Sequence, residues 1–256
     1  MTNQRSRALG VRTRPWKSAK SGIGTFARVD DRTHSVEPST GGGGDELVGV
    51  LRERGSGTAL AALRRATAAD HQSLDALVDP RRLVEIDYYA AVVRGLIESA
   101  ETVELALPLI PPSMSGRGLS YGEVSKRAAI DAESTFLDNL VEPQPIRHPD
   151  PADVRLLMPA QALSETMLGL LYVYVGSALG GSILLRVART APWWHHQREH
   201  TFLQPYGHHL KDRWRAVLGA LESLEIDETN AAAETARAGF ELHRRSLVRG
   251  LSVGGY

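Results

Sequence analysis

His71 is the residue whose type and position most directly suggest chemistry. It shares one helix face with Leu60, Leu63, Thr67, Leu74 and Val78, so its imidazole points where a core should be. A histidine in that position is either a satisfied core residue or a metal ligand, and the spacing leaves both open. His195, His196 and His200 cluster later in the chain, and His196-x-x-x-His200 has the one-turn spacing of a metal pair. The sequence places no third ligand there, so a polar surface is the simpler reading. No Glu has a His three residues after it, which argues against a ferritin-like di-iron site. Lys211 and Arg215, one turn apart, form a cation pair that either suits two carboxylates or makes a solvated face.

The element that must position such groups is Met167 to Leu185, MLGLLYVYVGSALGGSILL, nineteen residues without a charge. At 100° per residue Leu168, Tyr172, Val175, Leu179 and Ile183 make one apolar stripe. Beside it Gly169, Gly176 and Gly180 stack on one side, with Ser177 at the edge and Gly181 following. Four glycines inside a helix cost roughly 3 to 4 kcal/mol relative to alanine, which something else must offset. Three explanations are open: close approach of another backbone, a membrane span with a Gly176-x-x-x-Gly180 dimer spacing, or a flat ligand lying on the helix.

Two stretches carry a resemblance. YVYVGSALGGSILLRVA resembles the distal helix of the heme oxygenases, with its G-(D/S)-x-x-G-G pattern, and LRRATAADHQSLD resembles their proximal helix. The resemblance covers about residues 58 to 248 and implies an all-α, heme oxygenase-like multi-helix bundle with haem between the two helices. It implies that His71 is the axial iron ligand and that Asp75, one turn later, holds the free ring nitrogen. Gly176, Ser177 and Gly180 would form the catalytic shelf, with Gly181 against the cofactor, and Lys211 and Arg215 would reach the two propionates. The implied reaction uses O2 and electrons from a reductase or ferredoxin to cleave haem to biliverdin, carbon monoxide and iron. A biliverdin-accepting phytochrome is an implied further partner. The chain departs from the family pattern in two places: Ser177 stands where many members have Asp, and Ala68 where mammalian members have a basic residue. The second reading is a haem-binding or haem-sensing protein that does not open the ring.

Composition agrees with this class. Long Ala- and Leu-rich segments dominate and period-two β-branched runs are missing, so all-α is expected. The absence of cysteine removes disulfides and any thiolate ligand, and it fits the expected cytoplasmic location. Residues 1 to 29 hold seven basic residues and no acid, leaving 23 basic against 30 acidic over the other 227. That acidic body is not a nucleic-acid binder by charge.

Along the chain, residues 1–57, with Gly41 to Gly44, read as a disordered basic and Gly-rich extension without the apolar core of a secretory signal. Helices are expected from Thr58 to about Val78 and from Asp87 to Pro108, with a loop from Pro108 to Gly118. Ser120 to Leu140 reads as one helix with Val124, Ile130 and Leu137 in the core and Lys126 and Arg127 on its polar side. A loop with a short turn near Ala152 to Leu157 follows, then the long helix from about Pro159 to Ala191. A helix over Pro205 to Leu224, another from Asp227 to about Val248, and a flexible tail at 249–256 complete the chain. A membrane-anchored interaction protein, with Met167 to Leu185 as its span, is the remaining alternative.

Overall fold

The computed structural model describes residues 59–144, 149–157, 164–194 and 201–256. The basic extension and the His195–His200 cluster lie outside them. Among the described residues there is no strand, so the chain is all-α as expected. The chain opens with α1 (Ala59–Asp75), which buries Leu60, Leu63 and Thr67. Asp79 then caps a short 3-10 turn over Pro80–Val84. α2 (Ile86–Ala106) is buried on most of its circumference, including Tyr89, Val92 and Val103. Single turns follow at α3 (Pro112–Ser115) and α4 (Tyr121–Val124), then come α5 (Arg127–Leu140) and α6 (Pro151–Leu157). The apolar α7 (Ser164–Ala188), α8 (Leu210–Leu221) and α9 (Ile226–Val253) complete the bundle.

Two elements organise the packing. α9 lies along α7, α2 and α1, and α8 closes the other side of α7. α7 is the one described helix long and apolar enough to cross a membrane, and 56% of its most apolar window is buried within the protein.

The structure corrects two expectations. The last helix continues past Val248 to Val253, and the tail is anchored: the Tyr256 ring meets Tyr88 edge-to-face at 5.1 Å and lies under the Arg82 guanidinium at 4.5 Å. The expected helix over 120–140 is broken at Ser125, whose backbone is extended (ψ 139°). Ser120 and Glu123 form a capping box for α4, while the Ser125 hydroxyl accepts from the Arg127 N–H at the start of α5. The break turns Lys126 inward, so it is buried rather than on a polar face.

Candidate functional site

His71 sits near the end of α1 with its side chain 35% exposed, and its Nδ1 lies 3.1 Å from Asp75 Oδ2. A carboxylate accepts, so Nδ1 is the ring nitrogen that donates to it. The Phe240 ring of α9 stands 5.4 Å from the imidazole, and its neighbour Gly239 packs on Val173 of α7. α1 and α7 therefore meet α9 at the same turn. The Tyr172 hydroxyl of α7 faces Arg64 and Thr67 of α1, and burial pushes its pKa up.

The glycine line of α7 divides by what lies against it. A Cβ at Gly169 would overlap the Ala232 carbonyl, and one at Gly181 the Leu203 carbonyl, so these two positions serve close backbone packing. Gly176 and Gly180 are half-buried. Gly176 faces the Trp214 ring of α8, which would stand 3.2 Å from an added Cβ, and that ring also stacks on Tyr172 at 5.5 Å. Lys211 and Arg215 lie on the same helix, within one turn of Trp214 in sequence. Arg215 is exposed and lies 3.5 Å from Asp212.

Behind the shelf lies a polar group that sequence reasoning missed. Lys126 Nζ donates to the Tyr174 carbonyl (2.5 Å) and to Ser177 Oγ (2.8 Å), and it lies 4.1 Å from the centre of the Tyr174 ring. Ser177 donates in turn to the same carbonyl at 2.8 Å. Glu104 of α2 anchors the arrangement by accepting from the Lys126 N–H (2.6 Å), the Tyr174 hydroxyl (2.5 Å) and the Ser125 hydroxyl (2.8 Å). Burial pulls the Lys126 ammonium down to about 7, against the attraction of Glu104. Burial likewise pulls His243 of α9 down to about 4, and its Nδ1 lies 2.9 Å from the Gly239 carbonyl. The usable signal was the pair of Ser caps at 120 and 125, which marks two helix starts five residues apart rather than one helix.

Chemically, the junction offers one carboxylate-oriented imidazole and a half-buried glycine face with a hydroxyl beside it. Among the described residues no group of three or more His, Cys, Asp or Glu could hold a metal ion. No family model, curated protein or solved structure matches this chain.

Proposed function

We propose that the chain is a cytoplasmic heme oxygenase that binds haem through His71 and cleaves it to biliverdin, carbon monoxide and ferrous iron. Its electrons would come from a reductase or ferredoxin, and a phytochrome is a candidate acceptor of the biliverdin. The observation that carries this reading is the meeting of α1 and α7 at one turn of α9, with His71 beside Phe240 and Val173 beside Gly239. The donor set fits haem: an imidazole whose Nδ1 is held by a carboxylate is the arrangement a metal-bound histidine needs.

Bound haem would supply both the redox centre and the ring that is opened. The chain's own residues bind and orient. Asp75 fixes the tautomer and plane of His71. Gly176 keeps the α7 face low, and Lys211 and Arg215 supply positive charge for two carboxylates. Trp214 is the side chain that a flat ligand on Gly176 would contact or displace.

That same ring favours a second reading, a haem-binding or haem-sensing protein that leaves the ring intact, because it narrows the space over Gly176. Absorption titration with hemin, followed by ascorbate and catalase in air, separates the two. Ring opening predicts a one-to-one Soret band that decays into a broad red band; the second reading predicts a stable Soret band. His71→Ala should abolish the normal Soret band, and a normal spectrum in that variant sinks the assignment of the ligand.

A further inference from the structure

We propose that Lys126 holds a proton behind the Gly176–Ser177 face and passes it through the Ser177 hydroxyl to a basic oxygen atom of a ligand bound on that face. This rests on the reading of α7 as the haem face. The lysine is only 3% exposed, and burying an ammonium is unfavourable unless its donors are satisfied. Here two of its three N–H donors go to groups on a single turn of α7, the Tyr174 carbonyl and Ser177 Oγ, and the Tyr174 ring lies close to the ammonium. Ser177 is half-buried and adjacent to Gly176, so its hydroxyl links the buried ammonium to the residue beside the partly open shelf.

The transfer balances simply. The ammonium gives one proton to Ser177 Oγ as Ser177, turning its hydroxyl away from the Tyr174 carbonyl, gives its own proton to the ligand oxygen. The neutral amine is recharged by the reverse relay, through the half-buried Ser177 hydroxyl from water at the face. It still has two N–H donors for the two oxygen acceptors it already serves. The groups around it suit this cycle. Glu104 on α2 favours the charged form; His243 on α9 opposes it, but burial keeps that imidazole neutral down to about pH 4. The hydroxyls of Tyr174 and Tyr206 are pushed well up by burial and stay neutral. Arg213 lies beyond Tyr206, 5.4 Å from its ring centre. Burial leaves the lysine itself near 7, where a group both gives and regains a proton readily.

Hemin titration and ring opening in the full chain, compared with Lys126→Met and Ser177→Ala, test the idea. Both variants should bind hemin one-to-one with the wild-type Soret position, because His71 is untouched, yet open the ring about a hundredfold more slowly. The wild-type rate should fall above about pH 7 and that of Lys126→Met should not follow this profile. The pH midpoint of the ferric haem spectrum gives a readout apart from turnover: it should shift in Lys126→Met, because a group beside the ligand that is charged below about pH 7 is lost. Ser177→Ala, a small change at a half-buried position, keeps the test valid if Lys126→Met fails to fold. Wild-type rate, pH profile and spectral midpoint in both variants would overturn the role of Lys126 and leave haem cleavage standing. A wild-type chain without a Soret band would overturn both. A wild-type chain that binds hemin but keeps the ring intact would overturn cleavage alone, and the shift of the spectral midpoint would then decide whether Lys126 faces the ligand.

Discussion

Two histidines, one on α9 and one packed against it, sit in opposite surroundings. His243 is 3% exposed, has its Nδ1 on a backbone carbonyl of its own helix, and is held neutral by burial. His71 is a third exposed and faces a carboxylate that strengthens Nε2 as a donor. The sequence already separated His71 by the words around it, but not by its apolar face, since both histidines lie on one. Asp75→Asn tests the pairing. Removing an outer partner of a metal-bound imidazole typically weakens binding about 10- to 100-fold, so the hemin titration should weaken by that range. The fold should hardly respond, because a partly exposed pair contributes less than about 1 kcal/mol. An unchanged hemin affinity would mean that Asp75 does not orient the ligand.

At the scale of elements, the glycines of α7 separate by what lies against them, backbone at Gly169 and Gly181 and a ring end at Gly176. Gly169→Ala and Gly181→Ala push a methyl group into the Ala232 and Leu203 carbonyls, which belong to backbone and cannot swing aside. Each should cost about 1 to 3 kcal/mol in denaturant unfolding, even after the gain in helix propensity. Gly176→Ala meets only the end of the Trp214 ring, and helix propensity returns about 1 kcal/mol, so its stability should stay near wild type while hemin binding weakens. Equal destabilisation at all three positions would reduce the whole line to packing. The need for small residues on α7 was legible in the sequence; the partners that demand them were not, because Ala232 and Leu203 are distant in the chain. The same blindness hid a second approach, where a Cβ at Gly95 of α2 would stand 2.8 Å from the Ser246 carbonyl of α9. Helix periodicity placed Val124, Ile130 and Leu137 in the core correctly. It failed at Ser125 because the helical spacing of Ile130 and Leu137 lies wholly after the break, and only the paired serines betray two starts. Lys126 looked like a surface residue for that reason alone.

For the whole molecule, the buried polar groups make stability depend on pH in a way that the net charge does not reveal. Glu104 of α2, Lys126 at the α4–α5 break, Tyr174 of α7 and His243 of α9 come from four parts of the chain and meet inside the bundle. Lys126 titrates at about 7 in the folded protein against 10.5 in the unfolded chain. Between these values the unfolded chain binds the extra proton, so stability should rise with pH, by at most about 1.4 kcal/mol per unit. His243 acts in the same sense between about 4 and 6.5. Tyr174 and Tyr206 reverse the sign above 10, because their raised values keep protons on the folded form that the unfolded chain has lost. Denaturant midpoints should therefore climb from neutral pH to a maximum near pH 10 and then fall. In Lys126→Met the climb above neutrality should flatten while the fall above pH 10 remains, since only the lysine has been removed. A wild-type midpoint that is level or falling from pH 7 to 10 would mean that Lys126 stays charged in the folded state, held by Glu104 more strongly than burial opposes it.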